Sequence, residues 1–381
     1  MNKKIALIAL LICIVLTSGC IEPPLKYEGS PFGAHGELNK DELLSQMGVK
    51  WVRLAGVQGL HDSLEKQANF ENALDSAIEN NLEVMVTVKS DSHKYPDNIE
   101  DYKKFLSDAV NKYKGKVRYF QIENEPVGDN FWNDTPENYA LLLKEAYTTI
   151  KNACQECKVV IAGATSGKFS QGNDRFYDIV FSELQTYSEC ANGCHDIFDL
   201  HTASCDICSN PEEDCSPDGC SYIKRAYETA YNLQQRYNFI KPIWSTEFGY
   251  LHGTPNQTEK SLTKSFVYAL DLGYEKLFWR VAEDCCAIWN DAETNTYYTY
   301  KTLIEKTNGY STLSKIANNQ YKFTFPDKAP VYVLWCNSGT CAIPTEITGS
   351  VKATDYLGNE EIKDASTITL TESPIFVEET Q

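Results

Sequence analysis

The chain has 381 residues, enough for one large domain plus a smaller module, and its 42% hydrophobic and 23% charged residues exclude a disordered or fibrous polypeptide. Its formal net charge of −18 repels phosphate backbones and excludes nucleic acid as the expected partner.

The N-terminus reads as a targeting segment. Lys3 and Lys4 supply a charged start, and Ile5 to Leu16 form an apolar run too short for a comfortable membrane span. Thr17, Ser18 and Gly19 then lead to Cys20, a stretch that resembles a prokaryotic lipoprotein signal. That resemblance implies cleavage after residue 19 and lipidation of Cys20; plain cleavage and a retained anchor are the alternatives. All three place the remaining chain outside the cell, on the outer face of the membrane or secreted. Pro23, Pro24, Gly29 and Ser30 suit a short tether over residues 20–30.

From there to about residue 310, apolar runs alternate with amphipathic stretches, the pattern of a parallel α/β fold. Eight runs are predicted as strands: Pro31–His35, Lys50–Ala55, Glu83–Lys89, Val117–Glu125, Lys158–Gly163, Asp196–His201, Pro242–Glu247 and Lys276–Val281. Strands buried on both faces read as continuous apolar segments, as Val84–Val88 does. Thr135-Pro136-Glu137 offers a helix cap, a first-turn proline and an early acid, followed by Tyr139, Leu142, Leu143, Ala146 and Ile150 at helical spacing. Similar stretches lie near residues 61–80, 99–113, 174–188, 222–237 and 258–272. The fold expected for 31–310 is a (β/α)8 TIM barrel. A doubly wound sheet would share the alternation, but no glycine-rich phosphate loop follows the first strand. Residues 311–381 change texture: Tyr321–Phe325, Val331–Trp335, Val351–Tyr356, Thr367–Leu370 and Ile375–Val377 predict a small C-terminal antiparallel β domain.

Twelve cysteines remain beyond Cys13 and Cys20, mostly in close pairs such as Cys154/Cys157, Cys190/Cys194 and Cys336/Cys341, which suits disulfides in an oxidising compartment. Cys205, Cys208, Cys215 and Cys220 have zinc as the competing reading.

Two neighbouring carboxyl groups, one protonated and one ionised, can share acid/base and nucleophilic work at a single carbon. A barrel presents such a pair at the C-terminal ends of two strands. Glu125 ends the fourth predicted strand in Phe120–Pro126, and Glu247 ends the seventh before Phe248 and Gly249. Glu123 is set aside, because period-two alternation points it opposite to Asn124.

Asn124-Glu125-Pro126 on strand four, paired with Thr246-Glu247-Phe248-Gly249 on strand seven, resembles the clan A retaining glycoside hydrolases, families 5 and 39 above all, over residues 31–310. The resemblance implies that Glu125 is the acid/base and Glu247 the nucleophile. It further implies that Arg53 bonds the nucleophile, that Asn124 bonds the sugar hydroxyl beside the anomeric carbon, and that Trp279 floors the subsite of the cleaved sugar. His201 ends strand six as a substrate-binding residue, yet Ala203 stands where many members carry the tyrosine that contacts the nucleophile. The C-terminal β module resembles the β-sandwiches beside such barrels.

The expected function is cleavage of O-glycosidic bonds, β-linked, in extracellular poly- or oligosaccharides. It needs no cofactor and no metal; the partners are a carbohydrate and, through the lipid anchor, the membrane, and the chain is expected to act as a monomer. A non-catalytic glycan-binding barrel and a transglycosylase using the same residues are the competing functions.

Overall fold

The computed structural model describes residues 29–35, 40–54, 64–90, 93–127, 131–165, 169, 174–204, 222–250, 255–280, 289–290 and 292–380, and among these described residues eight parallel strands alternate with eight helices. The strands are β1 (Phe32–His35), β2 (Trp51–Leu54), β3 (Glu83–Val88), β4 (Tyr119–Ile122), β5 (Lys158–Ile161, resumed at Ala164–Thr165), β6 (Phe198–Ser204), β7 (Ile243–Tyr250) and β8 (Lys276–Arg280). The helices between and after them are α1 (Asp41–Met47), α2 (Leu64–Glu79), α3 (Ile99–Tyr113), α4 (Pro136–Ala153), α5 (Arg175–Leu184), α6 (Tyr222–Tyr237), α7 (Pro255–Leu272) and α8 (Asn295–Thr307). Hydrogen-bonded order runs β5-β4-β3-β2-β1-β8-β7-β6, and a parallel bridge from Val160 to Ile197 closes the ring. This is the TIM barrel expected from the alternation.

Local chemistry explains the elements. The Thr135 side chain accepts the Asn138 amide at 3.2 Å with Pro136 in the first turn of α4, and Tyr139, Leu142, Leu143, Ala146 and Ile150 are all fully buried. Inward-facing positions are layered. At the base, Trp51, Met85, Tyr119, Val160, Ile197, Trp244 and Phe278 form an apolar plug, with the Lys276 ammonium 4.4 Å over the Trp51 ring. Two residues further along, the same strands carry Arg53, Thr87, Gln121, Thr246 and Arg280. An apolar floor therefore lies under a polar layer at the C-terminal end of the barrel, where such folds place their chemistry.

Beyond α8, six antiparallel strands follow: β9 (Thr312–Ala317), β10 (Gln320–Thr324), β11 (Val331–Leu334), β12 (Ser350–Asp355), β13 (Glu360–Asp364) and β14 (Ile375–Glu379), in the order β9-β10-β11-β14-β12-β13. The sequence reading missed β9 and β13. Both are edge strands with mostly exposed residues, and solvated charged edges lack the apolar alternation that marks a strand. It also placed a strand over Thr367–Leu370, where a 3-10 turn (Ala365–Thr367) precedes a two-residue pairing of Thr369–Leu370 with Cys341–Ala342. One face of this sheet, with Tyr321, Phe323, Val333, Trp335 and Phe376, shares its apolar cluster with the barrel helices; the other, with Tyr332, Leu334, Val351 and Val377, forms a second core. Lys306 of α8 spans the junction, bonding Glu360 at 2.8 Å and Glu378 at 2.6 Å.

Disulfides join Cys154–Cys157, Cys190–Cys194 and Cys336–Cys341, three of the expected local pairs. Cys20 with the signal segment, Cys205 to Cys220, and Cys285/Cys286 lie outside the described residues. Among the described residues no helix is long and apolar enough to cross a membrane.

Candidate active site

Glu125 and Glu247 converge at the C-terminal mouth, each by a local departure from regular strand geometry. β4 ends at Ile122, three residues before the expected end, and the chain then turns sharply: Glu123 and Glu125 take left-handed φ of 67° and 37°. Such backbone costs a non-glycine residue on the order of 1 kcal/mol or more, and it is tolerated where surrounding contacts over-determine it. Here the Tyr139 hydroxyl donates to the Ile122 carbonyl at 3.0 Å, and the buried Glu123 carboxylate accepts the Ser90 amide. Glu123 stays apart from the glutamate pair as expected, but a turn rather than strand alternation sends it beneath Ser90 and His93.

Glu247 is aimed by a β-bulge. Against β6, Leu200 pairs with Ser245 and His201 with Glu247, so Thr246 is the extra residue; against β8, Ser245 pairs with Leu277 and Phe248 with Trp279. Trp244 faces the barrel interior, so unbroken alternation would send Glu247 outward and Phe248 inward. The bulge reverses this. Phe248 packs on Phe266 of α7 with ring centres 5.0 Å apart, and Glu247 turns into the mouth.

Arg53 organises the polar layer. Its Nη1 donates to Glu247 Oε1 at 2.6 Å, its Nη2 to Asn124 Oδ1 at 2.6 Å, and its Nε to Thr87 Oγ1 and Gln121 Oε1 at 3.1 and 2.9 Å. The fork thus fixes Glu247 and Asn124 relative to each other.

His201 stands between the two glutamates. Its Nδ1 lies 2.7 Å from Glu125 Oε1 and 3.5 Å from Glu247 Oε1, and its Nε2 lies 3.3 Å from Thr246 Oγ1 and 3.4 Å from Asp199 Oδ2. Burial pulls its pKa down, but Glu247, Asp199 and Glu125 outweigh burial and raise it to about 9. The ring has room because of Gly163, in the break of β5: a β-carbon there would overlap His201 Cδ2 and Nε2 and lie 2.7 Å from Cε1. The break is held open by two tyrosines. The Ala162 amide donates to the Tyr139 hydroxyl at 2.9 Å, and the Tyr177 hydroxyl donates to the Ala162 carbonyl at 2.6 Å.

For Glu247, burial works against the charged form, but His201, Arg53 and His35 outweigh it and hold the carboxyl far below the usual carboxylate range. His35 and Arg280 complete the surround at 3.9 Å each. Burial first, then Arg53, lowers the His35 pKa to about 3, so this ring is neutral above mildly acidic pH. Lys89, at the end of β3, is lowered by burial and by Arg53.

One ligand atom from each of Glu125, His201 and Glu247 lies within 4.8 Å of the others, close enough to invite a metal ion. A histidine held protonated offers no lone pair, so the trio is better suited to moving protons than to ligating a cation. Glu247 and Glu125 retain 13% and 21% side-chain exposure, enough for a substrate to reach both.

The structure thus brings together Glu125, Glu247, Arg53, Asn124 and His201. Trp279 is corrected: it is 1% exposed and packs on Phe248 and Phe266, with ring centres 6.4 and 6.0 Å away. Phe278 takes the inward place on β8, so alternation turns Trp279 to the helical layer, away from the mouth. Sequence reasoning missed Gln121, Thr87, Asp199 and Gly163. Asp199 two residues before His201, and Gln121 before the Asn124-Glu125 pair, were the available signals.

A family model described as cellulase (glycosyl hydrolase family 5) matches residues 37–284. No curated relative matches the chain by sequence. Among solved structures, a family 39 glycoside hydrolase from the gut symbiont Bacteroides cellulosilyticus WH2 superposes with a TM-score of 0.70 at 12% identity, over 92% of this chain and 81% of that one. A family 39 β-xylosidase from Caulobacter crescentus gives 0.66 at 10% identity, over 94% and 98%. A family 44 xyloglucanase from Paenibacillus polymyxa gives 0.63 at 13%, over 94% and 97%. At these identities the likeness is one of fold.

Proposed function

The chain belongs to glycosyl hydrolase family 5, and on that premise we propose that it is a retaining glycosidase, acting by double displacement with Glu247 as nucleophile and Glu125 as acid/base. The observation that carries the reading is the carboxylate pair. The site places an oxygen of Glu125 within 4.8 Å of one of Glu247, near the ~5–5.5 Å spacing of retaining pairs and short of the ~6.5–9.5 Å that leaves room for an inverting water. The surroundings of Glu247 suit the nucleophile's role. Glu247, against Arg53 and His201, is kept ionised for attack on the anomeric carbon. Glu125 is engaged at Oε1 by His201, leaving Oε2 to carry the proton to the departing glycosidic oxygen.

In the first step Glu247 bonds the anomeric carbon as the C–O bond to the leaving sugar breaks, and the Glu125 proton goes to that oxygen. In the second, Glu125 takes a proton from water, which attacks the same carbon and releases Glu247. Arg53 holds the nucleophile and Asn124 in one frame throughout, so both keep their aim as charge shifts.

We propose further that the substrate is a β-linked extracellular poly- or oligosaccharide, that the protein works as a monomer, and that Cys20 carries a lipid anchor to the outer face of the membrane. The test is a screen of the purified protein against β-linked glycans and aryl β-glycosides, with product anomers followed by NMR. First-formed β product supports retention; first-formed α product defeats it. Membrane-fraction labelling by a fatty-acid probe, lost in Cys20→Ala, tests the anchor.

A further inference from the structure

Asp199 on β6 is fully buried inside the barrel, behind the His201 ring. Its Oδ1 accepts the Thr246 amide at 2.9 Å; its Oδ2 accepts the Thr246 hydroxyl at 2.6 Å and the Gln121 side-chain amide at 2.5 Å. His201 Nε2 lies 3.4 Å from the same Oδ2. A carboxylate out of water is costly unless its oxygens are satisfied, and these are met by donors from β4 and β7.

We propose that Asp199 is the positioning residue of the site: by holding the bulge at Thr246 and the far edge of the His201 ring, it turns Glu247 into the mouth and seats His201 between the two glutamates. The inference rests on the glycosidase reading above and adds a part that reading does not contain. A bulge frees the amide of its extra residue from the strand ladder, and a buried amide left without an acceptor destabilises the fold. Asp199 meets that amide. Without it, regular pairing of β7 would return Glu247 to the helical side, because its parity on the strand is that of Ile243 and Ser245 rather than of Trp244.

The same carboxylate completes a proton-bearing chain: His201 Nε2–H donates to Thr246 Oγ1, whose hydroxyl donates to Asp199 Oδ2. That fixes the ring so that Nδ1–H points at Glu125, with Glu247 also in range. The sequence lacks the tyrosine that would contact the nucleophile two residues beyond His201. A ring anchored from behind by Asp199 supplies an N–H in its place. The groups facing His201 are Asp199 on its own strand, Glu125 from the turn after β4, Glu247 from β7 and, further off, His35 from β1.

The test uses the full protein and Asp199→Asn, with Thr246→Val as a milder break of the same contact. An asparagine keeps the shape but sets an amide donor against donors. Two readouts are taken: the titration midpoint of His201 by imidazole NMR, and the rate at which a dinitrophenyl fluoroglycoside of glucose or xylose labels Glu247. In Asp199→Asn the labelling rate should fall by about 10- to 100-fold, as expected for a reactive group displaced by ~1 Å. The His201 midpoint should fall by at least about one pH unit, and the alkaline limb of kcat/KM should move with it. Thr246→Val should move both in the same direction by less, and it decides the matter if Asp199→Asn does not fold. Slower labelling with an unmoved His201 midpoint and an unmoved limb is the signature of a merely structural residue and overturns the proposal, as do wild-type values in both readouts. If the wild-type protein is neither labelled nor active on any glycan, the glycosidase reading fails, while the NMR midpoint still decides whether Asp199 holds His201.

Discussion

Replacing Gly163 by alanine adds one methyl group to a residue that touches no substrate, yet it should disable the site. The new carbon would overlap two atoms of the His201 ring and lie 2.7 Å from a third, against the ~3.5–4.0 Å at which carbon atoms rest in contact. The break in β5 cannot yield easily, because Tyr139 and Tyr177 hold both polar groups of Ala162. The ring must therefore shift by roughly 1 Å or more, which takes the 2.7 Å bond from Nδ1 to Glu125 out of hydrogen-bonding range. A hydrogen bond to a charged group contributes about 1.5–3 kcal/mol, so kcat/KM should fall by about 10- to 150-fold. Because Glu125 is the partner that loses its orientation, the fall should be steepest for glycosides with poor leaving groups and shallow for dinitrophenyl glycosides. Gly115, where an added β-carbon meets nothing within 4 Å, provides the control: Gly115→Ala should match the parent in rate and in melting temperature. Unchanged turnover of poor-leaving-group substrates by Gly163→Ala, with His201 still on Glu125 in its crystal structure, refutes the reasoning.

Further outcomes follow from the same geometry. Glu247→Ala should lose activity on every substrate and give an α-glycosyl azide from an activated β-glycoside with added azide. Glu125→Ala should still react at the first step and give the β-glycosyl azide, and identical anomers from the two variants would reverse the assignment. Arg53→Lys keeps a charge but cannot span Glu247, Asn124 and Gln121 at once, so kcat/KM should drop by roughly 30- to 1,000-fold, with a melting curve that marks the protein as folded. The folded state binds the His201 proton more tightly than the unfolded chain, since the pKa rises from 6.5 to about 9. That contribution, on the order of 3 kcal/mol, is complete below pH 6.5 and is lost as pH climbs to about 9. Calorimetry should show the melting temperature falling across this window and a flatter dependence in His201→Asn; an identical slope in both would defeat the assignment.

Much of this architecture was legible before any coordinates, because the barrel imposes strong patterns. Strands covered on both sides must be continuously apolar, and the α4 signals at Thr135 and Pro136 work locally. Short elements were harder. α1 has only seven residues, and the amphipathic pattern of α8 is blurred by a run of Thr and Tyr, most of them buried. At the site, residue types and strand order were readable for Glu125, Glu247 and Arg53, although β4 ends at Ile122, short of Glu125, and β7 runs on past Glu247 to Tyr250. What could not be read was direction. Trp279 has a suggestive type but the wrong parity, whereas Glu247 has the wrong parity for a regular strand and is rescued by one extra residue at Thr246. Bulges and left-handed turns depend on distant partners, such as Asp199 for Thr246 and Tyr139 for the Glu123 turn, and no window along the chain contains both halves.

Lys306 has a consequence for how this molecule comes apart. Its ammonium is buried between Glu360 and Glu378, and the apolar face of β10 and β11 belongs to the same cluster as the outer helices. Cutting the chain after residue 310 would leave a buried cation without its anions and strip one side of α7 and α8 of cover. The C-terminal sheet is therefore no detachable appendage. Barrel and sheet should melt in one calorimetric transition, and limited proteolysis should release no stable barrel fragment ending near residue 310.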